Sequence, residues 1–294
     1  MKPAAFEYVA ARTLDEALEA LAASGSDAKV LAGGQSLVPL LNMRLARPAL
    51  LVDINCLHDL DYIRRDDGHL AIGALTRQRA LERSDVIAEL FPLLVAATGF
   101  IGHPAIRNRG TVGGSLAHAD PVSELPCVMT ALDAQVVVRS RSAERTIAIG
   151  DFFQSVFTTV VEPGEILVEV RVPALPERTG WGFEELARRH GDFAIIGVAA
   201  LVSLRSDGAI AEARLAYAGG ADRPLRARQA EAALAGQRPT SDLFEAAARI
   251  AATELDPPSD MHGTAAYRRT IAVVLTRRAL AAAQTRANAG LQGA

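Results

Sequence analysis

Two glycine pairs stand where the chain could meet a phosphate. In Lys29-Val-Leu-Ala-Gly-Gly-Gln-Ser-Leu37 an apolar run ends in Gly33-Gly34 and a helical pattern follows. The stretch Thr111-Val-Gly-Gly-Ser-Leu-Ala-His-Ala-Asp-Pro-Val-Ser-Glu-Leu-Pro126 carries Gly113-Gly114, then hydroxyls and carboxylates, then a second helix start. Glycine lets a ligand come close because no Cβ intervenes. Successive N–H groups in such a turn make an anion-binding concavity. Two turns of this kind suit the two phosphates of one dinucleotide. The plain alternative is a pair of ordinary tight turns, since glycine is the usual turn residue.

The elements around these turns follow from pattern. Thr13-Leu-Asp-Glu16 is a capping box, with Leu14, Leu18 and Leu21 at helical spacing and Gly25 as the stop. Lys29–Ala32 reads as a strand, 36–45 as a helix that Ser36 caps, and Leu50–Ile54 as a buried strand. Together they form a small βαβ unit whose helix start suits phosphate. GxGxxG is absent, so a nicotinamide-type Rossmann domain is unsupported. Residues 60–75 read as a strand pair about Asp66-Asp67-Gly68, with Thr76 capping a helix through Ser84. Helices are expected over 91–100 and, capped by Ser123, over 125–132; strands over 134–139, 145–149 and 166–172. Pro173 to Gly180 is the domain boundary. Beyond it come strands over 195–204 and 213–217, the first ending in a hairpin turn at Asp207-Gly208. Helices follow over 226–235, 240–254 and 264–288, then a frayed end over 287–294.

Composition narrows the function classes. The chain has 294 residues, half hydrophobic and 22% charged, and a net charge of -3, which fits an ordinary globular protein of about two domains. No charge block suggests nucleic acid, no long apolar run a membrane span, and no N-terminal apolar core a signal peptide, so a cytoplasmic protein is expected. Cys56 and Cys127 are isolated and read as buried small hydrophobes. The six histidines lack metal-ligand spacing, so no metal is expected on this chain.

Five segments in order resemble the FAD-binding medium subunit of the molybdenum hydroxylases, the family of carbon monoxide and xanthine dehydrogenases. They are Ala32-Gly-Gly-Gln-Ser36, Ile106-Arg-Asn-Arg-Gly-Thr-Val-Gly-Gly-Ser115, Ala119-Asp-Pro-Val-Ser-Glu124, Arg188-Arg-His-Gly-Asp-Phe-Ala194, and Tyr267-Arg-Arg269 with Leu275-Thr-Arg-Arg-Ala-Leu280. The resemblance implies an α+β chain. Residues 1–175 would be a vanillyl-alcohol-oxidase (PCMH)-type FAD-binding domain of two α/β subdomains, about 1–57 and 58–175. Residues 176–290 would be a C-terminal domain with a three-stranded antiparallel sheet and helices. It also implies partners: a small subunit with two two-iron two-sulfur clusters and a large molybdopterin subunit, assembled as a dimer of heterotrimers. Electrons would pass from molybdenum through the clusters to FAD on this chain and on to an external acceptor.

Carried over by position, Ala32, Gly33, Gly34, Gln35 and Ser36 form the first pyrophosphate loop, with Val30, Leu31 and Leu37 beside it. Thr111, Val112, Gly113, Gly114 and Ser115 form the second. Ile101 and Leu167 match positions against the flavin ring, and Glu124 matches an acidic residue at the ribose or adenine end. Three positions depart. Ser115 replaces the usual Asn, Glu124 the usual Asp, and Glu184 stands where xanthine oxidase-like members have a flavin-contacting Lys. No side-chain nucleophile is expected, because the flavin supplies the redox chemistry. Arg107 and Arg109 are read as phosphate or partner contacts or as solvated charges, His118 as a cofactor contact or an ordinary packed or exposed histidine, and Asp120 as an Asx-turn. Arg188, Arg189 and Asp192 are expected to form an inter-domain ion pair, and Phe193 to approach the isoalloxazine or, by default, to pack in the core. The alternatives are a self-sufficient flavin oxidoreductase and a flavin-free scaffold subunit.

Overall fold

The computed structural model describes residues 1–289, so Gly290 and the expected frayed end past Ala289 lie outside the described residues. The chain opens with β1 (Glu7–Ala10), α1 (Leu14–Ser24), β2 (Ala28–Leu31), α2 (Leu37–Asn42) and β3 (Leu50–Asp53). The three strands form a parallel sheet in the order β1-β3-β2. Thr13 caps α1 by accepting from the Glu16 amide at 3.2 Å, and the Glu16 carboxylate accepts from the Arg12 amide at 2.7 Å. Leu18 and Leu21 of α1 meet Leu50 and Val52 of β3 in a small core that also takes in Leu75, Val137, Ile166 and Val168 from further along the chain. Ser36 does not cap α2 with its side chain; its backbone is already helical, so its hydroxyl is aimed elsewhere.

A second unit holds β4 (Ile63–Asp66), β5 (His69–Gly73), α3 (Gln78–Arg83), α4 (Asp85–Leu90), α5 (Pro92–Thr98), α6 (Pro104–Arg107), α7 (Val112–His118) and α8 (Glu124–Ala131). It continues with β6 (Gln135–Arg139), β7 (Glu144–Ala148), α9 (Ile149–Phe152), β8 (Phe153–Ser155), β9 (Thr158–Thr159) and β10 (Ile166–Pro173). An antiparallel sheet runs β4-β5-β10-β6-β7. Leu70, Ile72, Val136, Val138, Val170 and Val172 point to one face and pack with α5, α7 and α8 in the main core. Gly68 turns β4 into β5 at φ 78. Thr76 is not the cap of α3. Its hydroxyl donates to Tyr62 O and accepts from Tyr62 N instead, tying the strand to the helix lead-in. Ser123 likewise precedes α8 without a side-chain cap.

The C-terminal unit comprises β11 (Thr179–Ala187), β12 (Ala194–Leu204), β13 (Ile210–Ala218), β14 (Leu225–Arg226), α10 (Arg228–Leu234), α11 (Ser241–Glu254) and α12 (Ala265–Ala289). Its antiparallel sheet, β11-β12-β13-β14, has the three long strands expected and a two-residue fourth. All of β12 is buried because both its faces are covered. Ala199 and Leu201 join the main core, while Ile196, Val198, Ala200 and Val202 join the core under α12. Gly182 permits that packing: a Cβ there would lie 2.8 Å from the Ala279 Cα. α12 is intact to Ala289 with Ala287 buried and Asn288 and Ala289 exposed, so the end expected to fray from 287 is still helical as far as it is described.

Other expectations are corrected. Phe193 is 72% exposed, not core. Arg189 and Asp192 pair at 3.5 Å within their own loop, three residues apart, so this contact joins no domains. Cys127 is buried as expected, but Cys56 is exposed, because the turn after β3 leads to the surface.

Candidate functional site

The two glycine pairs, distant in sequence, come together between the first and second units. Gly33 lies directly against the segment entering α7. A Cβ built on it would fall 2.9 Å from both the Arg109 carbonyl carbon and the Gly110 Cα, and closer still to the Arg109 oxygen. Ala32 faces Gly114, its methyl 3.9 Å from where a Gly114 Cβ would stand.

Side chains that the sequence reading did not single out pin this junction. Asn55 donates through Nδ2 to Ala32 O at 2.7 Å and to Asp53 Oδ1 at 2.7 Å. Arg77 donates to Asn55 Oδ1 and to Arg109 O, both at 2.8 Å. Burial, and then the neighbouring Arg109 charge, hold the Arg77 guanidinium below its ordinary value. The Gln78 amide accepts no hydrogen bond at its buried Oε1, while its backbone N–H donates to Gly110 O at 2.9 Å.

The four glycines do different work. Gly34 needs its left-handed backbone, φ 74. Gly33 and Gly113 are packing positions; a Cβ on Gly113 would lie 2.6 Å from the Ala74 methyl. Gly114 is the one of the four whose Cα is only half covered while its neighbours are a hydroxyl and a methyl.

The backbone donors divide in the same way. Among the described residues, the amides of Gly34, Gln35 and Ser36 make no hydrogen bond to the protein. They are the free donors an anion needs. The second stretch is not a loop of free amides but the first turn of α7. Thr111 caps α7 by accepting from Gly114 N at 3.1 Å. Val112, Gly113 and Ser115 donate to Thr76, Ala74 and Thr111 carbonyls. What this stretch offers a ligand is the Gly114 surface and the half-buried Ser115 hydroxyl. Thr111→Ala is expected to cost about 1 kcal/mol through the lost cap and to loosen the α7 turn; urea unfolding of the two proteins checks it.

The remaining expected residues take up clear places. Val30 and Ala32 pack against the first unit's core, with Leu31 and Leu37 half-buried beside the turn. Ile101, just beyond α5, and Leu167 on β10 both belong to the main core. Arg107 is neither a phosphate contact nor solvated. It is buried, pairs with Glu82 at 3.0 Å, and donates to the Ile101 carbonyl at 2.8 Å. It therefore sets the position of Ile101. Arg109 contributes its carbonyl rather than its exposed side chain. His118 stacks on Phe157, ring centroids 4.9 Å apart, and burial pulls its pKa down. Asp120 makes the expected Asx-turn to Val122 N. Two surface cavities of about 610 and 670 Å3, one lined by Cys56 and Arg171, the other by Trp181 and Arg286, lie away from both glycine pairs.

At the start of α8, Glu124 is 8% exposed and makes no ion pair among the described residues. Burial pushes its pKa to about 7, with Asp120 adding to the shift. Glu185 on β11 is pushed to about 8 by burial and then by Glu124. Both carboxyls hold a proton more tightly in the fold than in the unfolded chain. Their contribution to stability is therefore full below the ordinary carboxyl range and lost as the pH rises through about 8. The ligand-free melting temperature is expected to fall by a few degrees between pH 5 and pH 8, and Glu185→Gln to flatten that fall.

Comparison with known proteins decides the family. Residues 4–175 match the family model described as the FAD binding domain in molybdopterin dehydrogenase, and residues 181–283 that of the CO dehydrogenase flavoprotein C-terminal domain. The chain belongs to the FAD-binding medium subunits of the molybdenum hydroxylases. It is 47% identical over 287 residues to the 6-hydroxypseudooxynicotine dehydrogenase complex subunit alpha of Paenarthrobacter nicotinovorans, covering 98% of this chain and 97% of that one. It is 37% identical to the carbon monoxide dehydrogenase medium chain of Hydrogenophaga pseudoflava, covering 97% and 99%. The solved carbon monoxide dehydrogenase from Hydrogenophaga pseudoflava superposes with a TM-score of 0.94 at 40% identity, over 97% of this chain and 99% of that one. Quinoline 2-oxidoreductase from Pseudomonas putida 86 superposes at 0.93 with 36% identity, over 98% and 99%. As a medium subunit of this family the chain is the FAD-carrying part of an oxidoreductase. No helix among the described residues is long and apolar enough to cross a membrane.

Proposed function

We propose that this medium subunit receives electrons from two-iron two-sulfur clusters on a small partner subunit and passes them through its FAD to an external acceptor. The clusters cannot be its own: each needs four ligands and the chain has two cysteines. A large molybdopterin subunit would complete the cytoplasmic assembly as a dimer of heterotrimers. The domain division we propose is 1–175 and 176–290, with subdomains about 1–57 and 58–175.

The observation that carries this reading is the junction itself, where Gly33 packs on the segment entering α7, Ala32 stands opposite the half-covered Gly114, and the next three amides are unpaired. Gly34, Gln35 and Ser36 would bind the pyrophosphate through backbone N–H groups, and Ser115 through its hydroxyl. Ala32 and Gly114 would let the cofactor's phosphates approach the backbone. Val30, Leu31, Leu37, Thr111, Val112 and Gly113 shape that cradle from behind. Ile101, held by Arg107, and Leu167 would present apolar edges to the ring. Bound FAD supplies the exchange between one-electron and two-electron carriers; the protein binds, orients and shields it.

The test is to purify the chain from its native cells together with the small iron–sulfur and large molybdopterin subunits that accompany it. In the purified complex, substrate should bleach the flavin absorption; in the isolated FAD-loaded chain it should not. A chain whose flavin is reduced and turned over by NADH without partners would overturn the reading in favour of a self-sufficient oxidoreductase.

A further inference from the structure

Arg77 reaches both glycine stretches at once. Its backbone forms a bridge with Thr111, at the head of the second stretch. The flanking bonds, Val112 N to Thr76 O at 3.0 Å and Gln78 N to Gly110 O at 2.9 Å, fix that side of the junction. Its guanidinium forks. Nη1 donates to Arg109 O, the atom against which Gly33 packs. Nη2 donates to Asn55 Oδ1, and Asn55 Nδ2 in turn holds Ala32 O. The fork therefore grips the backbone around Gly33, directly before the unpaired amides of Gly34, Gln35 and Ser36.

The charge on that fork is unanswered. Both of its hydrogen-bond partners are neutral oxygens. Asp61 and Asp53 act on it through space without forming an ion pair. Asp53 is committed elsewhere, accepting from the Tyr8 hydroxyl at 2.6 Å and from Asn55 at 2.7 Å. The Arg109 guanidinium adds a like charge to the same corner. Burying a cation without an anion costs free energy. The junction thus sets surplus positive charge beside three free N–H groups, and a diphosphate is the ligand chemistry that answers both.

We infer that Arg77 is a positioning residue for the cofactor: its fork holds the two glycine stretches in register, and its charge offsets the diphosphate of FAD. This rests on the function proposed above. Both halves of the role call for arginine. A lysine ammonium is a single point and cannot span two acceptors from two nitrogens. A glutamine amide keeps a donor and loses the charge. Salt weakens a cation that answers an anion, and leaves a neutral latch unaffected.

The experiment measures the FAD affinity of the full chain by quenching of flavin fluorescence, at low and at high salt. Wild type, Arg77→Lys and Arg77→Gln are compared, with circular dichroism confirming each fold. Wild-type affinity should fall as salt rises. Arg77→Gln should bind FAD at least about tenfold more weakly at low salt, the worth of a hydrogen bond from a charged group. Its affinity should also depend less on salt. Arg77→Lys should keep the wild-type salt dependence while losing part of the affinity. Wild-type affinity in either variant overturns the inference. So does a loss in Arg77→Gln that leaves the salt dependence unchanged, which is what a purely structural latch would give. If Arg77→Gln does not fold, the comparison with Arg77→Lys decides alone. A folded wild-type chain that binds no FAD overturns the proposed function as well, and the wild-type titration shows this before any variant is compared.

Discussion

Gly33→Ala is expected to lose FAD retention and to cost about 3 kcal/mol of folding stability, the upper end for forcing one extra methyl into a packed site. The new methyl would run into the Arg109 carbonyl and the Gly110 Cα, which are backbone atoms of the second unit. They cannot swing aside as a side chain can. Arg109 O is held by Arg77, and Arg77 is held in turn by Asn55 at the end of β3. The methyl can be accommodated only by parting the two units, which separates the free amides of Gly34–Ser36 from Gly114. Urea unfolding together with flavin retained after desalting reads both effects. Unchanged stability and full flavin retention would show that the junction is not built as described. Gly34→Ala is the useful contrast. It meets strain from its positive φ but no backbone wall, so a smaller loss of about 1 kcal/mol is expected there.

Arg107→Ala should be the other severe change, at about 3 kcal/mol, because removing one partner of a buried pair strands the other. The figure is set at the low end since Glu82 keeps Arg79 at 2.6 Å. The same substitution frees the Ile101 and Gly102 carbonyls, so the edge expected beside the flavin ring should shift as well. Chemical denaturation measures the first effect, and the visible band shape of the loaded protein the second. Burial raises the Glu82 pKa, but hydrogen bonds from Arg79 and Arg107 and their charges outweigh it, so the net shift is downward. That stabilisation is present above the ordinary carboxyl range and fades as pH falls through the lower folded value. Arg107→Ala should therefore lose less on acidification than wild type does. A variant as stable as wild type, with an unaltered flavin spectrum, would remove Arg107 from the site.

Much of the frame was legible because its signals are local. The Thr13 cap, the Gly68 turn, the Asp120 Asx-turn and the apolar run of β12 each depend on residues within a few positions of one another. The glycine pairs were legible as places where a side chain is excluded, but not as to what excludes it. Gly33 and Gly113 owe their identity to backbone and methyl groups from other elements, while Gly114 stays half-exposed beside the Thr111 hydroxyl. Arg107 could not be told from a solvated arginine, because Glu82 lies far from it in sequence. The same holds for Asn55 and Arg77, which meet across 22 residues of sequence. Ser36, Thr76 and Ser123 carry cap-forming side chains at plausible helix starts, yet the chain enters those helices without using them.

The central claim is that FAD is held where the two glycine stretches meet. The most direct measurement is the amount of FAD bound after incubation and desalting, for wild type and Gly114→Val side by side, with circular dichroism confirming the fold of each. A valine there would displace the Thr111 hydroxyl, which lies 2.6 Å from the added Cβ, and fill the open side of the cradle. The account predicts one FAD per wild-type chain and little or none on folded Gly114→Val. Stoichiometric flavin on the folded variant, or a folded wild-type chain that stays colourless, would contradict it.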